Sequence, residues 1–238
     1  MKALILAAGI GKRLRPLTNE VPKCLVEVNG KTILGRMLEI FLHYGIKDVI
    51  IASGHFEDKI KSFIKNNFPQ INASYAKNPK YESTNAIYSM WLVKELADDD
   101  IVLLHGDMVF ETRLLGKILD FKNGSCALVN NKIRPPEKDF KAEIENGLIK
   151  KIAVDISGKN AFFLPPIYKI LKNDFLLWMK EIEKFVKEGN VNVYAENAFN
   201  NISGKLKLHP AYFGEEFCME IDDLKDLEIA NKFFSGKE

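Results

Sequence analysis

The stretch LAAGIGKRLRPLT occupies residues 6–18 and continues an apolar run that starts at residue 3. Residues 3–8 predict a strand buried on both faces, because the apolar run is unbroken rather than alternating. A turn with glycines at positions 9 and 11 follows, and then a cluster of three cations, Lys12, Arg13 and Arg15. A buried strand that leads into a glycine-rich turn predicts a ligand site at the carboxyl end of that strand in an open α/β sheet.

Short apolar runs and helix-period stretches alternate over the first 110 residues. Further strands are predicted at residues 48–53, 73–76 and 101–104, and helices at residues 33–44, 57–66 and 85–96. This alternation implies right-handed crossovers and a mainly parallel sheet with helices on both faces. The predicted fold class is therefore α/β, with three α/β/α layers.

The pattern after residue 110 is less regular. The predicted elements are a strand at residues 126–130, a hairpin over residues 143–154 that turns at Asn146-Gly147, a strand at residues 161–168, and helices at residues 175–187 and 224–234. Asparagine followed by glycine is the typical sequence of a two-residue hairpin turn. No sharp boundary separates a second domain, so residues 1–238 are expected to form a single domain.

Composition limits the class of protein. The 238 residues carry 34 Lys and Arg and 32 Asp and Glu, a formal net charge of +2. Such a chain lacks the basic stripe of a nucleic-acid-binding protein. Cys24, Cys126 and Cys218 show no CxxC spacing, which fits a reducing cytoplasmic compartment and argues against structural zinc. No segment approaches the roughly 20 apolar residues of a membrane helix, and the short apolar start is interpreted as a strand rather than a signal peptide.

The glycine-rich turn is suited to phosphate. Glycines let backbone N–H groups approach phosphate oxygens, and arginine adds bidentate hydrogen bonds. Two common phosphate loops are excluded. A P-loop requires glycine and then Ser or Thr where this chain has Leu6 and Arg13, and the dinucleotide fingerprint requires a third glycine where it has Leu14. We therefore expect another phosphate-binding geometry, with a tight turn bearing solvated cations as the alternative.

Residues 6–18, together with Pro22-Lys23, resemble the signature of the sugar-phosphate nucleotidyltransferases. The resemblance implies a Rossmann-like, GT-A-like fold whose glycine loop wraps a nucleoside triphosphate. It also implies that Arg13 binds the β and γ phosphates, and that Lys23 bridges the α phosphate and the acceptor phosphate. The loop residues expected at the nucleotide are Leu6, Ala7, Ala8, Gly9, Gly11, Lys12 and Arg13.

Two acidic positions lie far apart in the sequence. Asp107 follows the predicted strand at residues 101–104, and Asp222 lies in the segment EIDD just before the last predicted helix. Mg²⁺ takes one or two carboxylates together with phosphate oxygens and water. The resemblance implies that Asp107 and Asp222 share Mg²⁺, which leaves Asp223 as the expected helix cap. Taken alone, each Asp is as typical of a turn or an N-cap as it is of a metal ligand.

Residues 81–91, YESTNAIYSMW, resemble the corresponding segment of the bacterial CTP:phosphocholine cytidylyltransferases. Hexose 1-phosphate pyrophosphorylases instead carry a glutamine-rich segment there. The resemblance implies CTP as the nucleotide. Ser83, Thr84 and Asn85 offer hydroxyl and amide groups for a pyrimidine edge, and an N-cap formed by Ser83 or Thr84 is the alternative.

The acceptor is expected to be a small phosphorylated compound, either phosphocholine-like or another amino or polyol phosphate. Residues 194–197, YAEN, stand near the place where choline-type relatives carry Tyr-Trp-Asp-Asn, so a Trp is missing and an Asp is lengthened to Glu. Glu196 would hold a cationic amine, and Arg134 or Lys132 an acceptor carboxylate, with a solvated surface role as the alternative for each. The predicted acceptor-binding residues are Lys23, Tyr194 and Glu196.

The resemblance thus predicts a cytoplasmic, Mg²⁺-dependent cytidylyltransferase that decorates surface polysaccharide or lipid. Residues 1–110 would form its nucleotide-binding half, and residues 111–238 the half that binds the acceptor and completes the metal site. One alternative is a sugar-1-phosphate uridylyl- or guanylyltransferase, and another is a non-catalytic nucleotide-binding regulatory subunit. Neither nucleic acid nor membrane is an expected partner, and the sequence leaves monomer and homodimer open.

Overall fold

The computed structural model describes residues 1–236, which form strands and helices that alternate less regularly after residue 110. The strands are β1 (Lys2–Ala7), β2 (Glu27–Val28), β3 (Lys31–Thr32), β4 (Asp48–Ser53), β5 (Asn72–Lys77), β6 (Ile101–His105), β7 (Met108–Phe110), β8 (Cys126–Asn130), β9 (Lys141–Glu145), β10 (Leu148–Ala153), β11 (Ala161–Phe163), β12 (Ile167–Ile170), β13 (His209–Phe213) and β14 (Cys218–Glu220). The helices are α1 (Ile33–His43), α2 (Glu57–Asn67), α3 (Ala86–Leu92), α4 (Thr112–Leu119), α5 (Lys172–Lys187), α6 (Ala195–Ile202) and α7 (Leu224–Ser235). Single 3₁₀ turns occur at Lys12–Leu14, Leu17–Asn19 and Lys23–Leu25.

Ten strands form one mixed sheet in the order β10-β9-β11-β8-β12-β6-β1-β4-β5, with β13 beside β8. The strands β6, β1, β4 and β5 are parallel, and Leu4 of β1 lies opposite Ile50 and Leu103. The strand β12 runs antiparallel to β6 and to β8. The predicted α/β class is confirmed, with a parallel half built from the first 110 residues and a mixed half built from the rest.

Helices cover both faces of this sheet. Ala3 and Ile5 of β1 belong to one core cluster, which includes Phe41 of α1, whereas Leu4 belongs to the other, which includes Trp178 of α5. Successive side chains of a strand point to opposite faces, so the unbroken apolar run of β1 serves two cores. Within the described residues, no helix combines the length and apolar character needed to cross a membrane.

Several element bounds differ from those expected. The strand predicted at residues 161–168 is divided into β11 and β12, because Pro165 and Pro166 lie between them and proline cannot donate to a ladder. The helix predicted at residues 85–96 ends at Leu92, and its N-cap is Asn85 rather than Ser83 or Thr84. The helices α4 and α6 were not predicted. Asp223 caps α7, as expected, and accepts hydrogen bonds from the N–H groups of Lys225 and Asp226.

Glu216 anchors the loop between β13 and β14. Its carboxylate accepts a hydrogen bond from Gly214 N at 2.8 Å and pairs with Lys117 Nζ of α4 at 3.0 Å. Burial alone would raise the pKa of Glu216, but these hydrogen bonds to the ionised form lower it to about 2. A group whose pKa is lower in the folded than in the unfolded state stabilises the folded protein at pH values above its unfolded pKa. This stabilisation is lost as the pH falls toward the folded pKa.

The Glu216→Gln variant is therefore expected to lose about 1–2 kcal/mol of unfolding free energy at pH 7. The difference from the unmodified chain should shrink as the pH falls from about 4.5 to about 2, where the native carboxyl becomes protonated. Urea denaturation across that pH range measures both effects. Glu215→Gln, the same change at the exposed neighbouring position, is the control. Equal stability of the two variants at every pH would contradict the role given to Glu216.

Candidate active site

A cleft of about 250 Å³ lies at the carboxyl ends of β1, β5 and β6. Residues 6–9 at the end of β1, residues 105–107 at the end of β6, and Asn78 just after β5 all line it. Parallel strands bring their carboxyl ends to one edge of the sheet, which is where open α/β folds bind ligands. The fold therefore places the glycine-rich turn where the sequence predicted a ligand.

The turn is held by contacts that require glycine at position 11. Gly11 has a φ of 69°, and a Cβ added there would lie 3.0 Å from Thr18 Cγ2 and 3.1 Å from Lys23 Cβ. Thr18 Oγ1 also donates to the Gly11 carbonyl at 2.7 Å. Gly9, by contrast, lines the cleft, and a Cβ there would meet no atom within 4 Å. Gly11 thus packs against the segment that carries Lys23, whereas Gly9 borders the open space of the cleft.

Lys23 lies between two carboxylates in the cleft. Its Nζ donates to Asp107 Oδ2 and, at 2.7 Å, to Asp222 Oδ1. Arg13 Nη2 reaches the other oxygen of Asp222 at 3.0 Å. Burial alone would lower the pKa of Lys23, but the charges of Asp107 and Asp222 raise it above its ordinary value. The cations predicted to bind phosphates and the carboxylates predicted to bind metal thus meet at one point.

The carboxylates have the chemistry of a Mg²⁺ site. Oδ1 of Asp107 is buried and has no hydrogen-bond partner among residues 1–236. A buried, unpaired carboxylate oxygen is costly unless a cation or donor satisfies it. Burial would raise the pKa of Asp107, yet Lys23 and His105 lower it, so the carboxylate is ionised and able to ligate a hard cation. Asp107 and Asp222 therefore fit the metal that the resemblance implies.

His105 and Glu220 form a second charged pair beside this centre. His105 Nδ1 lies 3.4 Å from Glu220 Oε1, and both side chains line the cleft. Burial alone would lower the pKa of His105, but the hydrogen bond to Glu220 and the nearby carboxylates raise it to about 9. Burial raises the pKa of Glu220 by more than the hydrogen bond with His105 lowers it, so the pKa lies above its ordinary value, at about 7. Near neutral pH, His105 adds positive charge next to Asp107.

A hydrogen-bonded network organises the opposite end of the cleft. Asn78, only 1% exposed, donates from Nδ2 to Thr84 Oγ1 at 2.9 Å and to Ser89 Oγ at 3.0 Å. Its Oδ1 accepts a hydrogen bond from Lys80 N at 2.8 Å. Thr84 and Asn85 line the cleft, whereas Ser83 does not. Two of the three residues predicted to contact the base, Thr84 and Asn85, are thus at the cleft, and Asn78 holds the first of them.

The predicted acceptor residues are placed differently from one another. Tyr194 lines the cleft, with its ring packed edge-on against Phe140 at 4.8 Å between centroids. Glu196 is 1% exposed and does not line the cleft, because the buried side of α6 directs it to Tyr168, whose hydroxyl donates to Glu196 Oε1 at 2.8 Å. The prediction that Glu196 directly contacts an acceptor amine is therefore corrected, because this carboxylate is buried in the core.

The remaining predicted residues divide in the same way. The cleft is lined by Leu6, Ala7, Ala8, Gly9, Arg13, Lys23, Thr84, Asn85, Asp107, Tyr194 and Asp222, and it is not lined by Gly11, Lys12, Ser83 or Glu196. Lys132 and Arg134 are exposed outside it, and Lys138 of the same segment lines it instead, paired with Asp226 at 2.5 Å. Gly11 has the positive φ that turns the chain, and Lys12 is exposed.

Sequence reasoning missed several cleft residues. They are Cys24, Asn78, Tyr81, Ala86, Ser89, His105, Gly106, Lys138, Phe140, Val154 and Glu220. A signal was available for Glu220, since it belongs to the acidic segment EIDD that also contains Asp222. His105 likewise precedes Asp107 by two positions. Nothing in the pattern around Asn78 distinguishes it from an ordinary loop residue.

Comparison with known proteins identifies the family. The nucleotidyl transferase family model matches residues 2–139. The CMP-5′-(3-aminopropyl)phosphonate synthase of Streptomyces rubellomurinus is 30% identical over 194 residues, which cover 77% of this chain and 31% of that protein. The CTP:phosphoglutamine cytidylyltransferase of Campylobacter jejuni is 26% identical over 260 residues, covering 96% of this chain and 98% of that protein.

A solved structure shows the same fold. The CTP:phosphocholine cytidylyltransferase of Streptococcus pneumoniae matches with a TM-score of 0.79 at 24% identity, covering 98% of each chain. Fold and cleft thus define an α/β protein with a centre of two cations and two carboxylates at the carboxyl ends of its parallel strands. The chain belongs to the nucleotidyl transferase family, as the signature at residues 6–23 predicted. It spans less than a third of the length of the Streptomyces relative, with 31% covered.

Gly54 brings two segments of the cleft together. A Cβ at this position would lie 2.6 Å from the carbonyl oxygen of Ala8 and 2.8 Å from Tyr81 Cβ. The Gly54→Ala variant is therefore expected to lose about 1–3 kcal/mol of unfolding free energy and to bind nucleotide more weakly, because Ala8 and Tyr81 must separate. Thermal unfolding and calorimetric titration measure the two effects. Gly204→Ala, where a Cβ would meet nothing within 4 Å, is the control, and a loss as large there would rule out this explanation.

Proposed function

We propose that this chain is a Mg²⁺-dependent cytidylyltransferase that transfers CMP from CTP to a small phosphorylated acceptor and releases pyrophosphate. The observation that carries the proposal is the position of Lys23, between Asp107 and Asp222 and beside Arg13, in a cleft at the end of β1. Displacement at phosphorus depends on cations placed in advance around the charge that accumulates there. This cluster supplies such cations and the carboxylates for a metal.

The proposed mechanism is an in-line displacement without a covalent enzyme intermediate. An oxygen of the acceptor phosphate attacks the α phosphorus of CTP, and the bond from that phosphorus to the leaving pyrophosphate oxygen breaks. Arg13 binds the β and γ phosphates, while Lys23 stabilises charge between the two reacting phosphates. The attacking oxygen is already anionic, so no general base is required, and catalysis consists of positioning and electrostatic stabilisation.

Asp107 and Asp222 are the residues that would hold Mg²⁺. When bound, the metal supplies positive charge to the phosphate oxygens. Lys23 engages both carboxylates in the described structure. In the proposed complex Lys23 therefore exchanges part of this pairing for phosphate oxygens, which carry the same charge as the carboxylates that it leaves.

Two observations support CTP and a small nitrogen-bearing acceptor. The relatives described above are named for CTP or CMP together with an aminopropylphosphonate, phosphoglutamine or phosphocholine. The acceptor end of the cleft combines the rings of Phe140 and Tyr194 with the carboxylate of Glu220. Aromatic faces and a carboxylate are the groups that bind an ammonium. A cytoplasmic location, a single domain and a role in surface decoration stay predictions.

Pyrophosphate release tests the proposal. The chain is incubated with Mg²⁺ and each of CTP, UTP, GTP, ATP and dTTP, against a panel of phosphorylated amines, amino acids, polyols and hexoses. Release confined to CTP and a non-sugar acceptor is the expected result. Release with a hexose 1-phosphate and another nucleotide would overturn the assigned base and acceptor. CTP binding without release on any acceptor would favour the regulatory alternative.

A further inference from the structure

We infer that the acceptor is a short phosphorylated primary amine, and that Asp139 is the residue by which the cleft recognises its ammonium group. The inference rests on the proposed function and narrows it, since that proposal requires only a small phosphorylated acceptor. Its basis is a group of three carboxylates, Asp139, Glu220 and Asp222, whose oxygens lie close together. We call this group the carboxylate cluster.

Asp139 is a buried carboxylate that no cation in the protein pairs with. It is 6% exposed, and its Oδ1 is enclosed without a hydrogen-bond partner among residues 1–236. The ammonium of Lys138 pairs with Asp226, and that of Lys141 donates to three backbone carbonyls. Burial raises the pKa of Asp139 by more than the charge of Lys138 lowers it. An unpaired buried carboxylate is costly to the fold and is typical of a site whose partner is a ligand.

The unpaired carboxylate of Asp139 faces the cleft. One carboxylate oxygen each from Asp139, Glu220 and Asp222 lies within 4.8 Å of the other two. Glu220 and Asp222 line the cleft, and so do Lys138 and Phe140, which flank Asp139 in the chain. The cluster therefore belongs to the wall of the cleft, and it shares Asp222 with the proposed metal centre.

The spacing and charge of the cluster suit a primary ammonium. Such a group carries three N–H donors at tetrahedral angles. Charge-assisted N–H···O bonds are about 2.7–2.9 Å long, so three acceptor oxygens around one ammonium nitrogen lie roughly 4.4–4.7 Å apart. The oxygens of the cluster lie within this range of separation, inside 4.8 Å. A quaternary ammonium has no N–H donor, and it is bound by aromatic faces rather than by hydrogen bonds to buried oxygens.

The shared residue Asp222 limits the length of the acceptor. In the proposed complex its carboxylate contacts the metal that holds the phosphates, and the same carboxylate belongs to the cluster that binds the ammonium. Each C–C or C–N bond is about 1.5 Å long, so a spacer of about two or three carbon atoms is long enough to join the two charged groups. The rings of Phe140 and Tyr194, which pack edge-on beside the cleft, offer apolar surface for that spacer.

Two acceptors that differ only at nitrogen test the inference. Phosphoethanolamine and phosphocholine share the phosphate and the two-carbon spacer, but only the first carries N–H donors on nitrogen. Pyrophosphate release with CTP and Mg²⁺, measured over a range of acceptor concentrations, gives kcat/KM for each. The unmodified chain is expected to favour phosphoethanolamine at least about tenfold. 6-Aminohexyl phosphate keeps the ammonium on a longer spacer, and its kcat/KM should be at least about tenfold below that of phosphoethanolamine.

Asp139→Asn is the variant that isolates the carboxylate. Asparagine keeps the size and one acceptor oxygen but removes the negative charge. The kcat/KM for phosphoethanolamine should fall at least about tenfold, mainly through a higher KM for this acceptor, while the KM for CTP stays unchanged. The preference over phosphocholine should fall toward one. Because the variant loses an unpaired buried charge, its melting temperature should equal or exceed that of the unmodified chain, whereas loss of a structural contact would lower it.

Glu137→Gln is the control within the same segment. It removes a negative charge two positions before Asp139, from a side chain that is exposed and does not line the cleft. Its kinetics with both acceptors should match those of the unmodified chain. An equal loss of preference in Glu137→Gln and Asp139→Asn would attribute the effect to net charge rather than to the cluster, and would overturn the inference.

The remaining outcomes separate this inference from the proposed function. CTP-dependent release that is equal for the two acceptors, or greater for phosphocholine, would overturn the inference and leave the cytidylyltransferase standing. So would an unchanged preference in Asp139→Asn, or 6-aminohexyl phosphate used as well as phosphoethanolamine. A higher Mg²⁺ requirement in Asp139→Asn, equal with both acceptors, would assign Asp139 to the metal instead. Release only with a hexose 1-phosphate and another nucleotide, or with no acceptor at all, would overturn both.

Discussion

Turnover of the Lys23→Ala variant is expected to fall at least about 100-fold, because Lys23 is the residue proposed to stabilise charge between the two reacting phosphates. Its folded state is also expected to be less stable without metal. The partly buried carboxylates of Asp107 and Asp222 would lose the ammonium that now joins them. Steady-state pyrophosphate release and thermal unfolding measure the two effects.

Added Mg²⁺ gives a readout of Lys23 that does not depend on activity. Metal should raise the melting temperature of Lys23→Ala more than that of the unmodified chain, because only the variant lacks a cation between the carboxylates. Lys31→Ala removes an exposed ammonium that pairs with Glu39 far from the cleft, and it should match the unmodified chain in every assay. Unchanged turnover in Lys23→Ala would remove this lysine from the mechanism.

The Asp222→Asn variant is expected to lose at least about 100-fold in turnover and to need more Mg²⁺ for half-maximal rate. The amide keeps the size and an acceptor oxygen but removes the negative charge that a divalent cation and both Lys23 and Arg13 share. Rates measured across a series of Mg²⁺ concentrations separate weaker metal binding from a defect that saturating metal cannot repair.

Asp223→Asn is the matched control for Asp222→Asn. It makes the same chemical change one position along the chain, where the carboxylate caps α7 by accepting from Lys225 N and Asp226 N. Asparagine is an equally good N-cap, so both stability and turnover should stay close to those of the unmodified chain. An equal loss of turnover in the two variants would contradict the division of roles between the neighbouring carboxylates.

The part of the site that could be predicted is the part held by local geometry. The glycine-rich turn follows a buried strand, and the resemblance identified Arg13 just after the turn and Lys23 in the segment that packs against it. Asp107 comes directly after β6, so its place at the sheet edge follows from the strand order. These residues meet as expected because the carboxyl ends of parallel strands share one edge.

The part that could not be predicted depends on contacts between distant segments. Glu196 precedes Asn197 in a motif that suggested a ligand contact, yet the packing of α6 against the sheet buries it on Tyr168. The role of Asn78 likewise arises only when the end of β5 meets the start of α3. Sequence periodicity reports which residues of an element share a face, but it does not report what that face will contact.

The second half of the fold shows the same limit. The pairing of β14 with β7 joins two strands of three residues each, too short for any periodic signal. Helix α6 has the sequence AENAFNNI, in which three asparagines weaken the helical pattern. Tertiary contacts, rather than local propensity, therefore determine these elements.

The pairing of Lys23 with Asp222 spans 199 positions along the chain. A ribosome that adds about 5–20 residues per second needs roughly 10–40 s to travel that distance. During this interval the nascent chain contains Lys23 but lacks Asp222, which follows β14. The charged centre of the proposed catalyst therefore cannot assemble until almost all of the chain has been synthesised.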